Sequence, residues 1–272
     1  MATLPVRGER ANRWLACPTP RVDATAKLFC LPYAGGGAGV FRGWPPAVDA
    51  AVAATSSDVT VDVVAVRLPG REDRILDDPE FDVADVASAI RAAADRPYAL
   101  YGHSMGGTLA FEVLRLLRDA GAPLPVRCYV GGARAPHIPA SGPFDGLSEL
   151  DDAHLVARLA AGGGAPAAVL ANEELLELLL PMLRADFGRL DRYEFVPAPP
   201  LPVPIVAFAG SHDTAVSLAQ TDAWARHTSS GFVRHVVEGG HFFLNDRLDD
   251  LLRPLCADLT TALTPAGKGV RR

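Results

Sequence analysis

The sequence predicts an α/β protein whose mostly parallel, doubly wound sheet is interrupted late in the chain by a helical insertion. Three observations lead there. Short apolar runs rich in β-branched residues alternate with stretches of helical period through the first half of the chain and return near its end. One of these runs passes through Gly102-His103-Ser104-Met105-Gly106 straight into a helix-like sequence. Between 138 and 202 the alternation stops, and only helical signals and Pro/Gly breaks remain.

Bulk composition sets the outer bounds. The 272 residues, 49% hydrophobic, suffice for one large domain over 1–272 with an ample core. No apolar run reaches the roughly 20 residues of a membrane span, and the opening residues lack the apolar centre of a signal peptide, so the chain is read as cytoplasmic, with no membrane partner. A net charge of -6 argues against nucleic-acid binding. Cys17, Cys30, Cys128 and Cys256 are scattered without metal-ligand spacing, and no His-Glu-x-x-His is present, so no metal is expected.

Each element then has its own reason. Residues 1–25 are polar and Pro-rich, with Trp14 as the one large anchor, and read as an irregular lead-in. The run 27–31 is apolar throughout after its opening Lys27, as in a strand buried on both faces, and it ends in Pro32-Tyr33-Ala34-Gly35-Gly36-Gly37. No Gly-Lys-Ser/Thr follows these glycines, so they are not a phosphate loop. A helix over 40–54, interrupted near Pro45-Pro46, precedes a β-branched strand over 59–66. After that strand come Arg67-Leu68-Pro69-Gly70-Arg71-Glu72-Asp73-Arg74. The three arginines read either as a solvated rim or as a site for an anionic substrate or partner.

Helical period over 81–94 leads to the strand before Ser104. Strand, tight turn and helix around a Gly-flanked serine make a nucleophile elbow: the turn strains the serine backbone and lifts its hydroxyl clear of the sheet. The helix begins at the serine, so its N-terminal N–H groups face developing negative charge. Gly102 and Gly106 are expected to be glycine because side chains there would strike the neighbouring strand and helix. A further strand over 126–132 follows.

In the insertion, Ser148 and Asp151 are placed to cap one helix, Gly162-Gly163-Gly164 break it, and Asn172 opens a second helix that Pro181 should kink. This segment reads as an ordinary buried helix or as a lid over an acyl pocket, with Leu179 and Met182 lining it beside Tyr33 and Phe242. The sheet resumes at 203–210, and Asp213 lies just past that strand. A last strand over 232–237 precedes Gly239-Gly240-His241. Of seven histidines only His241 sits in a glycine-framed loop after the final strand, and His103 is expected to pack beside the elbow. The order Ser104, Asp213, His241 is that of the α/β-hydrolase triad. Two backbone donors complete such a site: Ala34, with Gly35 as the alternative, and Met105. A helix over 245–263 closes the fold, and 264–272 reads as a disordered tail.

These segments together resemble the type II thioesterases that accompany polyketide synthases and non-ribosomal peptide synthetases. The matching pieces are Leu31-Pro32-Tyr33-Ala34-Gly35-Gly36, Arg67-Leu68-Pro69-Gly70-Arg71-Glu72, Gly102-His103-Ser104-Met105-Gly106-Gly107, Asp213 with Val216, and Gly240-His241-Phe242. The resemblance implies a free-standing editing hydrolase that clears stalled or wrong acyl groups from the phosphopantetheine arm of acyl or peptidyl carrier proteins. It implies no cofactor of the enzyme's own and transient docking on an acidic carrier, either through a local patch of Arg67, Arg71, Arg74 and Arg134 or through apolar lid contacts; the oligomeric state is left open, with a monomer as the expectation. A generalist carboxylesterase shares the triad, and a non-catalytic binding protein on the same scaffold would normally lack one of its members.

Overall fold

The computed structural model describes residues 13–139, 141–162 and 172–264. Seven strands form one sheet: β1 (Leu15–Ala16), β2 (Ala26–Leu31), β3 (Val61–Val66), β4 (Tyr98–His103), β5 (Arg127–Gly131), β6 (Ile205–Gly210) and β7 (Phe232–Val237). Their spatial order is β1-β3-β2-β4-β5-β6-β7, and every pairing is parallel except that of β1 with β3. This is the α/β-hydrolase type of mostly parallel sheet. The two-residue edge strand falls within the stretch read as irregular, and it is too short to carry a periodicity of its own.

The uninterrupted apolar strands are explained by two cores. In β2, Phe29 and Leu31 pack on one face, with α2 (Val83–Ala93) and α3 (Met105–Asp119), while Leu28 and Cys30 pack on the other, with α1 (Trp44–Ala53) and α8 (Leu248–Leu263). Both faces are covered, so period-2 alternation disappears. Pro45 and Pro46 occupy the first turn of α1 and start that helix rather than interrupt it, because a first-turn N–H has no intrahelical partner to lose.

Between β5 and β6 lie α4 (Asp152–Ala161) and α5 (Glu173–Asp191), which build a third cluster from Leu147, Leu155, Leu159, Met182, Leu183 and Phe187. Asp151 caps α4 and Asn172 caps α5, each accepting from a backbone N–H three residues on. Ser148 does not take part in the cap; its hydroxyl donates to Asp191 at 2.6 Å. Helix α5 runs continuously through Pro181. The break at Gly163-Gly164 and the tail at 265–272 lie outside the described residues. After β6 come α6 (Leu218–Asp222), α7 (Phe243–Asp246) and α8.

The strand order reverses about β2 and β4. Loops after their carboxyl ends therefore part to opposite sides and leave a crevice, the usual ligand position in such sheets. Residues 32–37 and Ser104 meet there.

Candidate active site

Ser104 occupies the turn between β4 and α3 with φ 53° and ψ -115°, a conformation that costs a non-glycine residue about 1–3 kcal/mol. The surroundings enforce it: Ser104 N–H donates to Gly131 O at 2.8 Å, and Ser104 O accepts from Gly107 N–H at 2.9 Å. A Cβ on Gly102 would overlap the Gly106 carbonyl, and one on Gly106 would overlap the carbonyls of Leu31 and Pro32. Both glycines of the elbow are thus required by close approach.

The Ser104 hydroxyl reaches His241 Nε2 at 3.0 Å, and His241 Nδ1 reaches Asp213 Oδ2 at 2.9 Å. The other Asp213 oxygen accepts from the backbone N–H groups of Ala215 (2.8 Å) and Val216 (3.0 Å). Burial works to raise the Asp213 carboxyl, but the hydrogen bond and charge of His241 with the two backbone donors outweigh it and hold it below its usual range. Asp213 stays ionised, fixing the imidazole with its proton on Nδ1 and its lone pair on Nε2 toward the serine. The chain's last strand, the loop after β6 and the elbow bring together three residues that are distant in sequence.

Ala34 lines the same space as Ser104 and His241. Gly35 N–H is already committed to Asp186 Oδ2 at 2.8 Å, which removes Gly35 as the alternative donor. Met105 opens α3, so its N–H is one of the four that a helix leaves unsatisfied.

Two compartments open from the serine. The smaller, about 310 Å³ with the open space at its mouth included, is mostly apolar and bounded by Tyr33, Ala34, Phe144, Leu159, Phe187 and Phe242. The larger, about 580 Å³ counted in the same way, has Thr108, Arg134, Asp145 and Tyr193 in its wall. Ser104, Phe144, Leu190 and His241 border both. Tyr33 and Phe242 therefore stand where the sequence places them. Leu179 and Met182 do not: Met182 is buried in the insertion's own cluster against Gly70, and it is Phe187 and Leu190, further along α5, that reach the site.

The arginines also need correction. Arg71 is 3% exposed and paired with Asp186; Arg74 is buried, donates to Asp77 at 2.7 Å and lies 4.6 Å over the Trp14 ring; Arg67 pairs with Asp73. Arg71 and Arg74 are struts inside the molecule, not a docking patch. Arg134 is paired with Asp145 at 2.8 Å in the wall of the larger compartment. Asp186 is not among the residues the sequence reading singles out, although a carboxylate on the stripe Met182, Leu183, Phe187 and Leu190 is a legible signal: a buried charge demands a partner.

Burial pushes the Cys128 and Cys256 thiols up to about 12, so neither supplies a thiolate. Among the described residues no cluster of His, Cys, Asp and Glu is placed to hold a metal ion, and no helix is long and apolar enough to cross a membrane.

A strained serine at an elbow, joined to a histidine and a buried aspartate above a mostly parallel sheet, defines the class of α/β-hydrolases. Within it, the thioesterase-domain family model matches residues 26–259, and the chain belongs to that family. It is 35% identical to linear gramicidin dehydrogenase LgrE of Brevibacillus parabrevis, over 89% of this chain and 90% of that protein. The type II thioesterase BorB from the borrelidin biosynthetic cluster shares 34% identity and a TM-score of 0.75, covering 92% of this chain and 98% of that one. YbtT, a type II thioesterase from the yersiniabactin NRPS/PKS pathway, shares 31% identity and a TM-score of 0.78, covering 92% and 100%. The protein is accordingly a hydrolase of acyl thioesters.

Proposed function

We propose that this thioesterase removes acyl groups from the phosphopantetheine arm of carrier proteins, with Ser104 as nucleophile, His241 as base and acid, and Asp213 as the group that orients it. The observation that carries this reading is the unbroken relay from Ser104 Oγ through both nitrogens of His241 to Asp213, at 3.0 and 2.9 Å. As Ser104 Oγ bonds to the thioester carbonyl carbon, its proton passes to His241 Nε2, and the carbonyl oxygen becomes an oxyanion facing Ala34 and Met105 N–H. Collapse breaks the C–S bond and releases the thiol, which takes the proton. Water then gives a proton to His241 and attacks the acyl-serine, and the acid departs as Ser104 regains its hydrogen. A thiol is acidic enough to leave easily, so the demand on His241 as an acid is small.

The apolar compartment suits the acyl chain and the larger, part-polar one the amide-bearing arm. In this assignment the segment 138–202 acts as a lid, with Phe144 and Leu190 dividing the two. The carrier docks transiently at the mouth, as fits an enzyme that samples many carriers.

The test is to mix the protein with an acetyl-phosphopantetheinyl carrier protein, quench within milliseconds and weigh the products. An acetyl adduct on Ser104 that decays to free enzyme supports the reading. Turnover without any adduct, or turnover that persists in Ser104→Ala, contradicts it.

A further inference from the structure

The Arg-Leu-Pro-Gly-Arg-Glu segment, though not a docking patch, grips the glycine-rich loop after β2 at several points. Arg71 donates through Nη1 to Gly36 O at 2.8 Å, and through Nη1 and Nη2 to the two oxygens of Asp186 at 2.8 and 2.9 Å. Asp186 is 0% exposed, and its Oδ2 also accepts the Gly35 N–H at 2.8 Å. Glu72, at a positive φ of 52°, accepts from Ala38 N–H at 3.0 Å and Gly39 N–H at 2.6 Å. Leu183, three residues before Asp186 on α5, packs so closely on Gly35 that a Cβ there would lie 2.8 Å from it.

These contacts surround one turn. Gly36 N–H donates to Tyr33 O at 2.9 Å, and Gly35, at φ 82°, takes the left-handed position that the turn needs. The Tyr33 carbonyl and the Ala34 N–H belong to the same peptide. In a trans peptide they point in opposite directions, so the turn that draws Tyr33 O inward faces Ala34 N–H outward. Asp186 and Arg71 hold the two residues that follow.

We propose that Asp186, clamped by Arg71, is a positioning residue for the oxyanion hole: a carboxylate on the inserted helix α5 fixes the turn that aims Ala34 N–H. The inference rests on the reading of Ala34 as an oxyanion donor. It makes the seating of α5 a condition for a formed hole, because the acceptor for Gly35 N–H comes from that helix. An ion pair needed only for folding would be replaceable by apolar side chains of similar size; one that also orients the turn is not, since the Gly35 N–H would lose its acceptor.

The test uses the full chain as Arg71→Leu/Asp186→Leu, Asp186→Asn and Ser104→Ala, with kcat and KM for p-nitrophenyl acetate, inhibition by phenylboronic acid as a tetrahedral adduct of serine, and urea unfolding. In the double-leucine variant kcat falls roughly 10- to 100-fold, KM stays within about twofold, and boronate affinity falls in step with kcat. Asp186→Asn, which keeps a carbonyl acceptor for Gly35, loses less. A folded double-leucine variant with the native kcat and boronate affinity overturns the inference, as does a fall in kcat without a fall in boronate affinity. If that variant does not fold, Asp186→Asn decides by the same readouts: a severalfold loss of kcat and boronate affinity at native KM supports the role, and native values overturn it. Ser104→Ala separates the levels. If it hydrolyses at the native rate, the nucleophile assignment and this inference fall together; if it is inert while the folded double-leucine variant is fully active, only the role of Asp186 falls.

Discussion

His103 holds the backbone of His241: its Nε2 lies 2.8 Å from the His241 carbonyl oxygen, and its Nδ1 lies 3.0 Å from the Tyr101 hydroxyl. Burial, aided by the charge of His241, lowers the His103 pKa to about 3, so the ring is neutral. It donates through Nε2 to the His241 carbonyl and accepts the Tyr101 proton at Nδ1. The elbow strand thereby supports the histidine as well as the serine. His103→Ala leaves both partners buried without a hydrogen bond. It should cost roughly 2–4 kcal/mol of stability, read by urea unfolding, and lower kcat with KM little changed.

A second pair of histidines makes folding sensitive to pH. His137 and His227 share a hydrogen bond of 2.7 Å; the His227 ring packs against Phe111, Phe195 and Trp224, with the charges of Arg115 and Arg226 near. Burial first, then the charges of His137, Arg115 and Arg226, lower His227 to about 4. Above the unfolded value near 6.5 neither state carries the proton, and stability is flat. Between about 6.5 and 4 the unfolded chain binds protons that folded His227 and His103 refuse, so stability falls with falling pH by up to about 1.4 kcal/mol per unit for each group. His137 is lowered in the same direction, by burial and then the charge of Arg226. Unfolding in urea at pH 7 and pH 5 should show this loss, and His227→Phe should remove part of it; a slope unchanged in that variant contradicts the assignment.

Gly106→Ala tests the close approach under the elbow. The added carbon meets the backbone carbonyls of Leu31 and Pro32, which a side-chain rotation cannot relieve. The variant should lose about 3 kcal/mol or more, or fail to accumulate folded. By contrast a Cβ on Gly240, beside His241, meets nothing within 4 Å, so Gly240→Ala should fold normally and serve as the control.

Phe144 borders both compartments and lies 5.3 Å from the His241 ring, centroid to centroid. If it separates the acyl chain from the arm, Phe144→Ala should shift relative kcat/KM toward longer acyl thioesters by roughly 10-fold or more, the scale of one or two methylenes in an apolar site. An unaltered chain-length profile removes Phe144 from that role.

Much of this was legible in the residues, for definite reasons. β2, β3 and β4 are mostly apolar and do not alternate, because each is buried on both faces, and the elbow announces itself because Gly102, Ser104 and Gly106 each answer a local steric demand. Asp213 and His241 stand out in the sequence by their place just after the strands that form β6 and β7. What stayed hidden depends on contacts between distant segments. Arg71 looks like a surface charge beside Pro69 and Gly70 until Asp186, 115 positions on, is brought against it. Leu179 and Leu190 lie on one helix with similar neighbours, and only its seating on Gly35 and Gly70 decides which end meets the serine. The His137–His227 bond spans 90 positions and no local pattern marks it.

The most direct measurement is single-turnover hydrolysis of one acyl group presented three ways: on a phosphopantetheinyl carrier protein, on coenzyme A and as a p-nitrophenyl ester, with Ser104→Ala beside each. Carrier-editing activity predicts that the carrier-bound thioester is cleaved with the highest kcat/KM and that Ser104→Ala abolishes all three reactions. Rapid cleavage of the simple ester with the carrier-bound thioester left intact would keep the triad and contradict the carrier protein as the substrate's source.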